Sequence, residues 1–503
     1  MTFAAALAAV RRGSEDEDIL DDLARAALAE GEEESALPVV RAAAEQRRSA
    51  LLWQWTGLMH RSLEELEPAV AAFAEASRLG PADAGIAHGH ARVTLEAGLD
   101  AVGLFQRARS LAPQDGAVLI GLAAALNAVG RADQAIAMLE AALDHFPLWT
   151  QGHEQLAQLL ALSGQSNRAA ASLERAISKM PAEQSLWATL FGLRIRREDY
   201  RSLGDDIARA RAAGVPPAGV AVYQAIAAAE LDPSTYPAAL FDAAPPEAAP
   251  LLGIWRIRHL LRVGAVEAAL PIIDQELATE RAYQTWPYAS IAWRLAGDPR
   301  SKWLEGAPGL VAVMDLTTAL PPLDKLAEAL RTLHVAKGEY LDQSVRGGTQ
   351  TDGPLLSRID PVIGKLRRAI VGAVQSYVAQ LPASDAKHPH LGRRRDRRIR
   401  FAGSWSVRLR SGGKHSNHVH PQGWISSALY VALPERSSGE PADSGWFTLG
   451  QPDEQLNLGI EPLRKIEPRP GRLVLFPSWM WHGTVPFAEG ERLTVAFDVQ
   501  PPV

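Results

Sequence analysis

The sequence predicts a multidomain α + β protein, with an N-terminal α-helical solenoid followed by a C-terminal jelly roll that has flanking helices. Three observations lead there. Proline and glycine recur at a nearly constant step through the first part of the chain, and the apolar pattern changes from helical to strand-like near residue 300. At 503 residues, the chain is also too long for one compact core.

The repeat is legible in its punctuation. Pro81, Pro113, Pro147 and Pro181 are separated by 32, 34 and 34 residues, Pro216 follows after 35, and Gly98, Gly130 and Gly164 keep the same register. Between the marks lie paired amphipathic segments such as "GAVLIGLAAALNAVG" and "RADQAIAMLEAALDHFP", with apolar residues three and four apart. Each unit reads as a helical hairpin: glycine turns it, alanines let the helices approach, and proline ends it. The units resemble the tetratricopeptide repeat over residues 50–216. Residues 1–49 read as a helical cap, and residues 217–299 as degenerate hairpins that continue the array past the break "DPSTYPAALFDAAPPEAAP". One hairpin cannot bury its own apolar face, so such units stack into a curved solenoid. Its concave surface suggests protein or peptide binding, and the plain alternative is a rigid spacer.

Residues 300–503 form the second part. "LVAVMDL" reads as a short strand, and "LDKLAEALRTLH" and "DPVIGKLRRAIVGAVQSYVAQL" read as amphipathic helices. Then "RFAGSWSVRL", "WISSALYVAL", "GWFTLG", "RKIEPRP", "RLVLFP" and "RLTVAFDVQ" read as strands bounded by turn residues. Short strands at this spacing suggest two packed sheets. The stretch "QSVRGGTQTDG" is expected to be a loop that lines an entrance or crosses the sheet edge, with Arg346 its most interesting residue.

Composition narrows the chemistry. The chain has no cysteine, which excludes disulfides, a thiolate nucleophile and a cysteine zinc site, so a metal must be held by imidazole and oxygen. No apolar run is long enough to span a bilayer, and the opening apolar run precedes its positive charges, an order unlike a secretory signal; a cytoplasmic location is expected. A net charge of −6 gives no general attraction to nucleic acid. The basic cluster "RRRDRR" at 393–398 lacks the interleaved aromatics of a single-strand platform, and reads as a solvated hairpin or a patch against the acidic remainder.

"HSNHVHP", residues 415–421, places three of the thirteen histidines together after one strand candidate and before another. In extended backbone, His418 and His420 project to one face and can reach a single ion; the alternative is a solvated turn. His482 follows the strand "RLVLFP", whose end a two-sheet roll can bring beside the first pair. Arg492 and Thr494 share one side of the strand "RLTVAF", where a guanidinium and a hydroxyl together form a carboxylate receptor. His415 reads as a polar turn residue or a donor behind the ligands. Trp405, Trp424 and Tyr430 read first as core aromatics, although Tyr430 could reach a cofactor, Trp424 could stand near substrate, and Asn417 could orient a ligand.

This order (His-x-ligand, a distal His, then Arg-x-Thr ten residues on) resembles the Fe(II)- and 2-oxoglutarate-dependent oxygenases over roughly residues 300–503. It is most similar to a bacterial branch that joins tetratricopeptide repeats to such a domain, in which "SWSVRL", "NHVHP", "GWISSALYV" and "FPSW.WHGT" recur. The resemblance implies a double-stranded β-helix, Fe(II) and 2-oxoglutarate as cofactors, dioxygen as cosubstrate and a hydroxylase reaction. Carried over, His418 and His482 are metal ligands, and Arg492 with Thr494 holds the far carboxylate of 2-oxoglutarate. His420 stands where most of the superfamily has Asp or Glu, which gives a three-histidine site. That set is also used by catalytic zinc, and His418 with His482 alone, or His420 in place of His418, are alternatives. Fusion to a solenoid implies a protein or peptide substrate; a small-molecule oxygenase and a non-catalytic scaffold with a decayed oxygenase domain are the rival readings.

Overall fold

The protein is described by a computed structural model over residues 1–13, 16–232, 238–242, 244, 249–341, 344–435 and 439–502. Most of the break at 232–250 and Gln343 of the glycine-rich stretch lie outside these residues.

Among the described residues, helices mostly in pairs run from Phe3 to Glu305. Typical are Ala84–Glu96 with Val102–Leu111, and Gly116–Ala128 with Ala132–His145. Gly98, Gly130 and Gly164 sit in the turns inside successive pairs at φ of 76°, 76° and 77°, a region closed to most side chains. After three of the recurring prolines an acidic residue caps the next helix: Asp83 accepts from the amide of Ile86, Asp115 from those of Ala117 and Val118, and Glu183 from that of Ser185. Close packing uses the same step. Phe73 fills the notch beside Gly89, and Phe105 the notch beside Gly121, where an added Cβ would lie 2.3 and 2.2 Å from the ring. One pair departs from regularity, its second helix being split into the short turn Ser166–Arg168 and the helix Ala171–Lys179.

The C-terminal part holds two antiparallel sheets. The strands are β1 (Ala312–Asp315), β2 (Val345–Gln350), β3 (Phe401–His415), β4 (Ile425–Ala432), β5 (Phe447–Leu449), β6 (Arg464–Ile466), β7 (Arg472–Pro477), β8 (His482–Thr484) and β9 (Arg492–Val499). The large sheet runs β1-β7-β4-β9-β3-β2 and the small one β6-β5-β8. The expected α + β division and jelly-roll arrangement are therefore present. Helices Leu323–Leu333 and Pro361–Gln380 cover the outer face of the large sheet, where Leu326, Ile363, Leu366 and Ile370 pack with Leu429, Leu493, Val495 and Phe497. Two strands were not expected. β2 forms from the glycine-rich stretch read as a loop, because Gly348 lets it approach β3: an added Cβ would stand 2.5 Å from the Arg408 carbonyl oxygen. β8 has three residues, too short for any period to show.

Successive turns of the solenoid dock on the β domain. Glu33 pairs with Arg400 at 2.6 Å, Glu64 with Arg367 at 2.8 Å, and Glu65 with Arg398 at 2.9 Å. One repeat further on, the Ala97 carbonyl accepts from the Ile359 amide, and two repeats beyond that the Leu162 carbonyl accepts from Lys337, both at 2.8 Å. Glu198 then accepts from Gln455 at 2.6 Å. Arg397, Arg398 and Arg400 of the basic cluster are thus spent on acidic residues of the first repeats. The last helical pairs go further and share a core with the β strands, in which Ile257, Leu261 and Trp293 join Phe447, Phe476 and Trp481.

Candidate metal and cofactor site

The site lies between the two sheets. Strand β3 delivers the chain to His415, and the extended segment after it bridges to β8: His418 and His482 exchange backbone hydrogen bonds of 2.9 and 3.0 Å. The His420 amide donates to the Ser478 carbonyl at 2.9 Å. With the backbone pinned at both ends, alternation turns His418 and His420 to the same side, and His482 meets them from the opposite segment. One ring nitrogen from each of the three lies within 4.8 Å of the others.

Hydrogen bonds decide which nitrogens these are. Nδ1 of His418 donates to the Ser416 carbonyl at 2.8 Å, and Nδ1 of His482 to the Met480 carbonyl at 3.0 Å. Nδ1 of His420 faces a carboxylate oxygen of Asp498 at 2.5 Å. Acceptors therefore claim the proton on every Nδ1 and leave three Nε2 lone pairs for the shared space. Burial, reinforced by the neighbouring imidazoles, holds His418 and His482 well below the ordinary histidine range, so both rings are neutral. For His420 burial acts in the same direction, but the Asp498 carboxylate overrides it and raises the ring. The Ser344 hydroxyl stands 3.2 Å from Nε2 of His418 and 3.2 Å from Nδ1 of His415.

Arg492 occupies the other end of the cavity and is 2% exposed. One terminal nitrogen donates to the Gly445 carbonyl at 2.8 Å, and the other to the Tyr430 hydroxyl at 3.4 Å. Its Nε has no partner, and no carboxylate among the described residues pairs with it. Burial lowers the Arg492 pKa. A buried guanidinium without a counter-anion is costly unless a ligand supplies one. Thr494, two residues along β9, lines the same cavity. This donor set suits a small carboxylate at one end and a cation held by imidazoles at the other, so the residues fit both groups that the sequence implied.

Other expectations fall out differently. His415 is no surface turn residue: it ends β3, lines the cavity, stacks on His418 with ring centroids 5.9 Å apart, and is held by burial at a pKa of about 3. Trp424 does not reach the cavity; its indole donates to the His390 carbonyl at 3.0 Å, inside the core under the helices. Trp405 instead lines the cavity and stacks on His420 at 5.5 Å. Asn417 donates to the Pro452 carbonyl at 3.0 Å and lines an outer cleft, as does Arg346. Tyr430 sits under the Arg492 guanidinium, whose Cζ is 5.0 Å from the ring centre. Asp498 and Ser344 went unnoticed in the sequence. Asp498 had a signal, because it continues the alternation Arg492, Thr494, Ala496 on one face of β9.

Comparison with known proteins agrees with these two halves. Residues 403–498 match the family model described as "Putative 2OG-Fe(II) oxygenase", and residues 96–162 match that of the tetratricopeptide repeat. No curated protein matches the chain. Similar solved structures include YrrB, described as a TPR protein with an unusual peptide-binding site, at 20% identity over 36% of this chain and 95% of that one, with a TM-score of 0.29. MamA from Desulfovibrio magneticus is 17% identical over 33% of this chain and 96% of its own, with a TM-score of 0.29. A tetratricopeptide repeat protein from Parabacteroides merdae is 16% identical over 42% and 85%, with a TM-score of 0.32. The chain joins a tetratricopeptide repeat region to a domain of the 2OG-Fe(II) oxygenase type.

Proposed function

We propose that the protein is an Fe(II)- and 2-oxoglutarate-dependent dioxygenase that hydroxylates a side chain of a protein or peptide. The observation that carries this reading is the convergence, in one cavity, of three imidazole rings with a buried guanidinium that lacks an anion. His418, His420 and His482 would hold the metal. Arg492 and Thr494 would hold the far carboxylate of 2-oxoglutarate, and the Tyr430 ring and hydroxyl keep the guanidinium in place. The buried guanidinium favours iron over catalytic zinc, since hydrolytic zinc chemistry has no use for a dicarboxylate clamp. When bound, Fe(II) with 2-oxoglutarate and dioxygen supplies the oxidising power to place a hydroxyl on a C–H bond, with succinate and carbon dioxide as coproducts. Trp405 and Phe447 wall the cavity and limit water around the reacting groups. Among the described residues no helix is long and apolar enough to cross a membrane.

Anaerobic titration with Fe(II) and then 2-oxoglutarate tests the reading through the metal-to-ligand charge-transfer band. The band should form in the wild type and vanish in His482→Ala, and Arg492→Ala should need far more 2-oxoglutarate to reach it. A wild-type protein without the band refutes the assignment.

A further inference from the structure

A second cavity of about 630 Å³ lies between the solenoid and the β domain, and it meets the inner cavity at two residues, Ser344 and His418, which line both. Its solenoid wall carries Tyr200, Trp255 and Tyr288, with the Tyr200 and Trp255 rings edge to face at 6.4 Å. Tyr288 in turn packs edge to face on Trp481 at 5.7 Å, next to His482 in the chain. The wall facing the solenoid is supplied by the β domain through Lys414, Asn417 and Asp453.

Two properties describe what fits. The lining combines aromatic rings with polar groups, as in surfaces that bind polypeptide. Three of its four cations are already paired: Arg258 with Glu230 at 2.8 Å, Lys414 with Glu454 at 2.8 Å, and Arg196 with Glu154 at 3.1 Å. A cleft with most of its cations paired offers little to a polyanion and suits a segment bound through backbone hydrogen bonds and aromatic contact.

We propose that this cleft is the substrate site and takes an extended peptide segment of low net charge, one side chain of which passes Ser344 and His418 toward the imidazoles. The inference rests on the dioxygenase reading and adds to it the role of the solenoid. The repeats act at close range, as one wall of the substrate site, with Trp255 and Tyr200 determining specificity.

The test uses full-length protein with Fe(II), 2-oxoglutarate and air, and a random dodecapeptide library read for a 16 Da mass gain and for succinate. Hydroxylated peptides of low net charge are expected. For a selected peptide, Trp255→Ala, the milder Trp255→Leu and Tyr200→Ala should each raise KM about tenfold or more, while the anaerobic charge-transfer band stays as in the wild type. Phe146→Ala, on an exposed part of the solenoid, should leave KM unchanged. A normal band with no hydroxylated peptide overturns the peptide assignment and leaves the dioxygenase reading intact. So does a KM that all three cleft variants leave unmoved. Absence of the band in the wild type overturns both.

Discussion

Nδ1 of His420 and a carboxylate oxygen of Asp498 are 2.5 Å apart, and the other Asp498 oxygen accepts from the Ser426 hydroxyl at 2.5 Å. The negative charge that most related sites place on the metal itself is here one residue removed, behind an imidazole. A carboxylate in that position fixes the ring and makes its free nitrogen a better donor. Asp498→Asn keeps the shape and removes the charge. It should weaken Fe(II) or Co(II) binding about 10- to 100-fold, measured by metal titration, with little change in the circular dichroism spectrum.

Arg492 carries a conflict between stability and binding. In the absence of ligand its guanidinium is buried with Nε unpaired, so replacing it with an apolar residue of similar length removes a cost. Arg492→Met should equal or exceed the wild type in urea midpoint without ligand. The wild type should gain about 2.7 kcal/mol from 2-oxoglutarate at one hundred times its Kd, and the variant should gain nothing.

Glu33, fully buried, receives two hydrogen bonds from Arg400, at 3.0 and 2.6 Å, and one from Ser62 at 2.7 Å. Burial alone would raise its pKa, but these bonds outweigh burial and lower it. Removing one partner of such a pair leaves the other uncompensated. Glu33→Gln should destabilise the protein by about 3 kcal/mol. A double-mutant cycle with Arg400→Gln should return a coupling of about 1–3 kcal/mol, whereas additive effects would deny that the pair joins the two parts.

Acid should loosen the β domain through buried imidazoles. His334, between the Thr349 and Ser406 hydroxyls, is brought to about 4 by burial and then by Arg408, partly offset by Glu491, and His390 is brought to about 3, again chiefly by burial. Between each folded value and the ordinary 6.5, the unfolded chain binds the proton and the folded one does not. Stability is therefore full above pH 6.5 and falls as the pH drops toward 4. For His334 the loss is on the order of 2–3 kcal/mol. Urea midpoints at pH 7 and 4.5 should differ less in His334→Gln than in the wild type.

Legibility in the sequence followed the range of the interaction. The repeat was readable because Gly98, Gly130 and Gly164 solve the same local problem at one step. His418, His420, Arg492 and Thr494 were readable because strand alternation fixes a facing from neighbours alone. Asp498 obeys the same alternation, and applying it two steps further would have found it. Ser344 could not be found this way, since it meets His418 across 74 positions of chain with no pattern to link them. His415 was misjudged for a similar reason: the burial that neutralises it comes from β8 and the β2 edge, not from its own segment. The docking seam left only a trace, the acidic "EGEEES" and the basic "RRRDRR", whose complementarity is plain once both are placed.

A solenoid that stands free can gain or lose units with little harm, because each unit touches only its neighbours. Here the turns near residues 33, 64, 97, 162 and 198 each have their own anchorage on the β domain. Excising one unit would bring every later turn opposite the wrong berth, and the aromatic wall around Trp255 would no longer face His418. The array is in this sense a measured length, fitted to the row of berths on the domain it docks against, and its unit number is as constrained as any residue in the cavity.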